Sequence, residues 1–210
     1  MNPQSPRCLF PSLDSLGFIE YDFGLRTSTP PADVVTVHQV HSARVIANAG
    51  EPSRQHEDAD ALIDNTRGIA LGIKTADCVP ILLADPERRA IGAVHAGWRG
   101  TAQQIVPAAL RAMAREYGTR PGAVHAAIGP SIGVCCYEVG REVAREFGIE
   151  APSKVHLDLR AINAGQLKAA GVVNISISDE CTMCSPDRYH SFRRDAQSAG
   201  RLISWIRLLA

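Results

Sequence analysis

Residues 75–100 read TADCVPILLADPERRAIGAVHAGWRG. Val79 to Ala84 and Ala90 to Val94 are apolar runs, separated by Asp85-Pro86-Glu87-Arg88, whose Asp and Pro supply turn chemistry. The pattern predicts a β-hairpin. With Ala84 opposite Arg89, Cys78 falls opposite His95 at the open end, with Cβ atoms roughly 5 Å apart. That separation suits two ligands of one metal, or a thiolate–imidazole pair. A slip of one residue would send the two side chains to opposite faces.

The composition bounds what this hairpin belongs to. A chain of 210 residues can build one large domain with a real core. It is 45% apolar and 21% charged, as soluble globular proteins are. Its 22 basic and 22 acidic residues cancel, which argues against general nucleic-acid or membrane-surface binding. No apolar run approaches the ~20 residues of a membrane span. The first residues show no cationic segment ahead of an apolar one, so no secretory signal is expected. Cysteines at 8, 78, 135, 136, 181 and 184 then read as reduced thiols. A cytoplasmic protein, monomeric or weakly self-associating, is expected.

Outward from the hairpin, residues 1–33 are Pro- and Ser-rich and read as an irregular arm, with a short strand over Phe18 to Phe23. Residues 34–210 read as a single mixed α+β domain. VVTVHQVH at 34–41 is β-branched and predicts a strand with Val35, Val37, Gln39 and His41 on one face. A polar loop follows at 48–58, then strands at Ala61 to Ile63 and Ile69 to Ile73. Thr101 with Gln104 resembles a capping box, with Pro107 forcing a kink or a later helix start. Val124 to Ile128 and Val172 to Ile177 read as strands. Val139 to Phe147 and Ala161 to Ala170 read as helices, the second ended by Gly171. Arg201 to Leu208 is compatible with strand or helix.

A thiolate with imidazole suits zinc, and catalytic zinc keeps three protein ligands and one open position. His41, just before a turn, is the best source of a third ligand. The competing reading leaves Cys78 as a small buried apolar group and His95 hydrogen-bonded in the core. Asp77 leaves the other face of the strand and could orient a neighbouring loop. Gly97-Trp98-Arg99-Gly100 lets backbone approach a ligand at a helix start. Cys181 and Cys184 form a C-x-x-C, but Cys135-Cys136 is adjacent rather than spaced, so the four do not make a standard finger. Structural thiols are expected there. Arg26, Arg44, Arg193 and Arg194 are the basic groups nearest these motifs, each able to hold phosphate or carboxylate.

TADCVP at 75–80, HAGWRGT at 95–101 and QVH at 39–41 together resemble the laccase-domain family. Its members carry the names polyphenol oxidase, purine nucleoside phosphorylase and peptidoglycan editing factor. AIGPSIG at 127–133, YEVG at 137–140, LDL at 157–159, CT at 181–182, SFRR at 191–194 and GR at 200–201 continue the match in order. Two departures stand out. Ser42 replaces a usual glycine after QVH, and the glycine-rich arm is reduced to DFGLRTS at 22–28, where Arg26 matches the arm's arginine.

The resemblance implies a single-domain, four-layer α/β/β/α sandwich with mixed sheets. It implies Zn²⁺ held by His41, Cys78 and His95; Arg26 and Arg44 are the expected substrate contacts. It also implies phosphorolysis of adenosine, inosine, guanosine and methylthioadenosine, with purine nucleoside and phosphate as partners, and deamination of adenosine. A peptidoglycan-precursor hydrolase with Cys78 as nucleophile and His95 as base is the alternative. Copper oxidation of phenols is disfavoured, because seven histidines without an H-x-H pair are few for a multi-copper centre.

Overall fold

The predicted hairpin is the centre of a computed structural model that describes residues 10–48 and 57–209. Strands β5 (Val79–Asp85) and β6 (Ala90–Ala96) pair antiparallel, with Asp85 opposite Ala90 and Ala84 opposite Ile91. The turn is therefore as long as expected but lies one residue further along, at 86–89. Asp85 Oδ1 accepts from the backbone N–H groups of Glu87 at 2.9 Å and Arg88 at 3.2 Å, and Arg89 closes the turn at φ 51. Pro80, not Cys78, stands opposite His95. The shift from the expected register is two residues, so Cys78 and His95 keep a common face and meet diagonally.

Both strands are buried on both faces, which explains their continuous apolar runs. One face, with Val79, Ile81, Leu83 and Val94, packs against helices α3 (Ile105–Tyr117) and α5 (Leu159–Ala169). The other, with Leu82, Ala84, Ile91 and Ala93, packs against a small sheet. The large sheet has six strands, adding β2 (Val45–Ala47), β3 (Ala61–Asp64), β7 (His125–Ile128) and β10 (Asn174–Ile177). It is mixed: β2 runs parallel to β3 and β10 parallel to β7, while the other ladders are antiparallel. The small sheet places β11 (Leu202–Leu208) between β1 (Ile19–Asp22) and β4 (Ala70–Thr75). This is an α+β fold with mixed sheets, and three of the four implied layers are built from described contacts.

Several local expectations need correction. Val34 to His41 is not a laddered strand: it makes only single parallel bridges, Val35 to Leu71 and His38 to Asp58. Beyond Val37, the Gln39 side chain does the pairing, donating to Lys74 O and accepting from Lys74 N, each at 2.7 Å. Thr101 and Gln104 form no capping box. Thr101 lies inside helix α2 (Trp98–Ala102), and Gln104 sits at φ 65 immediately before α3. Pro107 thus falls in the first turn of α3, where helical N–H groups lack partners anyway. The Val139–Phe147 helix shortens to α4 (Arg141–Arg145), and α5 starts at Leu159, capped by Asp158 accepting from Ala161 N. Arg201 to Leu208 resolves as strand β11. From residue 10 on, the stretch read as an arm contributes helix α1 (Pro11–Asp14), β1, and buried Phe10, Leu13 and Phe23. Within the polar loop, residues 49–56 lie outside the described residues, as does Cys8.

Candidate metal centre

Asp60 immediately precedes β3, whose register against β6 places it opposite His95. The two pair doubly: His95 N donates to Asp60 O at 2.8 Å, and His95 Nδ1 donates to Asp60 Oδ1 at 2.7 Å. A carboxylate on Nδ1 leaves Nε2 free to bind a metal. The same carboxylate accepts from the N–H groups of Val40, His41 and Ser42 and from Ser42 Oγ, at 2.6–3.3 Å. It thereby holds the QVHS turn, in which His41 adopts φ 60. Burial opposes ionisation of Asp60, but the His95 and Ser42 donors outweigh it and lower its pKa to about 2. Ser42, the departure from the usual glycine, is one of these donors.

Cys78 lies where the chain passes from the small sheet to the large one, between β4 and β5. Asp77, at φ 89, makes the passage possible. His41, Cys78 and His95 bring their ligand atoms within 4.8 Å of one another. A Cβ on Gly97 would stand 3.1 Å from both Cys78 Sγ and His41 Cδ2, so a glycine here keeps space free beside the three ligands. Burial works against the Cys78 thiolate, but hydrogen bonds from His41 and His95 lower the thiol to about 6. Burial likewise disfavours charged His95, while Asp60 and then Cys78 raise it to about 9. A soft sulfur, two imidazoles and a carboxylate behind one of them fit a zinc-class ion.

The three residues line a cavity of about 500 Å³. Val37, Ile132, Tyr137 and Phe192 give it apolar and aromatic walls, and Lys74, Arg193 and Arg201 give it positive charge. Asp77 fixes the far wall, accepting from Thr182 Oγ1 at 2.6 Å, Ser191 Oγ at 3.0 Å and Arg193 N at 2.7 Å. That is the loop-orienting role its position suggested. Burial, with the negative charge of Cys78, pushes the Tyr137 phenol up to about 12.

The structure brings His41, Cys78 and His95 together, and of the four arginines nearest the motifs it sets only Arg193 in the cavity lining. Exposed Arg44 pairs with Glu57 at 2.6 Å, and exposed Arg26 donates to Pro186 O. Neither lines the cavity. Arg99 stacks on Trp98, and Arg194 is spent on the carbonyls of Thr182, Met183 and Tyr189 and on Asp195. Residue-by-residue reading missed Asp60, because only the β3–β6 pairing reveals it. It also gave no role to Tyr137 or Arg201, although both lie in stretches that carry the resemblance.

Comparison with known proteins agrees with this arrangement. The family described as "Multi-copper polyphenol oxidoreductase laccase" matches residues 23–209. A purine nucleoside phosphorylase of Deinococcus radiodurans is 40% identical over 84% of this chain and 70% of its own length. Adenosine deaminase RL5, from an unknown prokaryotic organism, is 37% identical over 83% of this chain and 74% of its own length. Among solved structures, YlmD from Geobacillus stearothermophilus superposes with a TM-score of 0.78 at 31% identity, covering 85% of this chain and 74% of that one. No helix among the described residues is long and apolar enough to cross a membrane.

Proposed function

The chain belongs to the multi-copper polyphenol oxidoreductase laccase family, and on that premise we propose that it is a zinc-dependent, cytoplasmic purine nucleoside phosphorylase that also deaminates adenosine. The observation that carries this reading is the convergence of His41, Cys78 and His95 on one cavity of nucleoside size, with Asp60 ordering both imidazoles. The names of the relatives support the substrate class.

His41, Cys78 and His95 would hold the zinc, which when bound supplies Lewis acidity and acidifies water. The remaining work falls to side chains of this chain. In phosphorolysis, phosphate attacks C1′ of the ribose, the bond to the purine nitrogen breaks, and sugar 1-phosphate and free base leave. Lys74, Arg193 and Arg201 face the cavity and would receive the phosphate. Arg26 and Arg44 reach a substrate only after leaving Pro186 and Glu57. Tyr137 and Phe192 offer aromatic surface to the purine, and the Tyr137 phenol, still protonated, can donate a hydrogen bond to it.

The alternative uses Cys78 as a nucleophile, and its lowered thiol suits that role. A Cys–His dyad has no need of the second imidazole, His41, that also bonds to the sulfur. Multi-copper chemistry calls for more imidazoles than these two.

The test is to incubate metal-quantified protein with adenosine or inosine, with and without phosphate. Phosphate-dependent release of adenine or hypoxanthine, lost in Cys78→Ala, is expected, as is phosphate-independent conversion of adenosine to inosine. Full activity in Cys78→Ala with its metal intact would refute the proposal. Covalent trapping at Cys78 in active, metal-free protein would transfer the assignment to the hydrolase.

A further inference from the structure

A second set of soft ligands meets outside the cavity, next in sequence to its wall residues Ile132 and Tyr137. The sulfurs of Cys135, Cys136, Cys181 and Cys184 all lie within 4.8 Å of one another. Topology assembles them. Because β7 and β10 are parallel and in register to Ile128 and Ile177, the chain leaves both at the same edge of the sheet. The parallel bridge between Ser131 and Cys181 extends that pairing. A turn in which Gly133 O accepts from the N–H groups of Cys136 and Tyr137 then meets the C-x-x-C turn.

The separations indicate what such a group holds. Cys184 Sγ is 3.8 Å from Cys135 Sγ and 3.3 Å from Cys136 Sγ, and all four are free thiols. A disulfide would bring two sulfurs to about 2.05 Å. Four thiolates around one tetrahedral zinc ion, with bonds of about 2.3 Å, stand about 3.8 Å apart. A polynuclear iron–sulfur core, whose metal atoms are themselves separated, spreads its thiolates wider.

Backbone donors favour a thiolate at Cys181. Gly133 N donates to Cys181 Sγ at 3.2 Å, and the Cys184 N–H bears on the same sulfur. A Cβ on Gly133 would stand 3.3 Å from Cys135 Sγ and from Cys181 Cβ, and 3.0 Å from an Arg160 nitrogen, so glycine keeps the pocket open. Arg160, Arg193 and Arg194 bond the carbonyls of Ser178 and Glu180, of Cys136, and of Thr182 and Met183. A divalent ion with four thiolates keeps a net negative charge, and these guanidinium groups surround it with positive charge.

We propose that Cys135, Cys136, Cys181 and Cys184 hold a structural zinc ion that ties the 131–137 loop to the 181–194 segment. Binding would send the thiol protons to solvent. It would also fix the wall on which Tyr137 and Arg193 face the cavity.

Zinc per chain, measured by mass spectrometry on protein purified under reducing conditions without added metal, tests this. Cys135→Ser/Cys184→Ser should carry one equivalent less than the parent, and adding Cys78→Ala should remove another. A loss confined to the Cys135/Cys184 variant upholds this site and counts against zinc at His41/Cys78/His95. Equal zinc in parent and Cys135/Cys184 variant overturns the proposal, and so does iron in place of zinc. Should the variant fail to fold, iodoacetamide labelling of the intact protein decides. Exposed Cys135 and Cys184 should resist alkylation until a chelator removes zinc. Immediate labelling with zinc retained, or a non-reduced mass showing a disulfide, overturns it.

Discussion

Asp60 and Asp77 are both buried carboxylates, Asp60 behind the candidate ligands and Asp77 in the cavity lining, and each gathers loops from distant parts of the chain. They differ in what they touch. Asp60 bonds an imidazole of the candidate centre and the backbone of the turn that carries the other. Asp77 bonds Thr182, Ser191 and Arg193, all on the opposite wall. One carboxylate therefore orders the ligands and the other orders the substrate's surroundings. Burial alone would not separate these roles; only the partners do.

Removing Asp60 should have the largest effect. Asp60→Ala strands His95 Nδ1 and three backbone N–H groups away from water, so we expect a loss of about 3–5 kcal/mol in urea denaturation and zinc affinity about 10–100-fold weaker in chelator competition. Unchanged zinc affinity would break the comparison. Asp77→Asn should keep its zinc yet lower kcat/KM about 10–100-fold as Arg193 and Ser191 drift, with about 1–3 kcal/mol of stability lost. Zinc loss in this variant would show that the two carboxylates share one role. Ser42→Gly removes the Oγ–Asp60 bond and the bond that Oγ accepts from Arg44 N, and should cost about 1 kcal/mol, with zinc retained.

A pH series sharpens the Asp60 side, with the smallest signal in the parent protein. In zinc-stripped protein, His95 is raised to about 9 from 6.5, so its stabilisation is complete below 6.5 and is lost as pH rises through 9. Cys78 is lowered to about 6 from 9.0, so its stabilisation is complete above 9.0 and is lost as pH falls through 6. Between those limits the two slopes oppose, and the urea midpoint of the parent should stay level. Cys78→Ala should uncover a midpoint that falls with rising pH, and Asp60→Asn one that rises. A level profile in both variants would disprove the coupling.

Much of the fold was legible because its central strands are local neighbours. The hairpin's apolar runs, the flanking strands and α5 follow from pattern alone. The hairpin register was two residues off because Arg89 takes a left-handed conformation that no proline or glycine announces. The segment at 34–41 has strand composition, but a side-chain amide replaces its ladder. Cys78 and His95 were legible through the hairpin, and His41 as the histidine before a turn. Asp60 and the meeting of the four cysteines were not, because both depend on pairings between strands that no turn connects, β3 with β6 and β7 with β10.

The position of β11 bears on how the protein is made. The middle strand of the small sheet is the last element described, and it pairs Leu208 with Ile19 and Leu202 with Thr75. During synthesis, β1 and β4 must wait on the ribosome without the strand that joins them, while the large sheet, complete through Ile177, can already form. Arg201 joins the cavity in the same late step. The nascent chain thus carries its candidate ligands before it has a finished pocket, and substrate binding becomes a sign that β11 has been made and has paired.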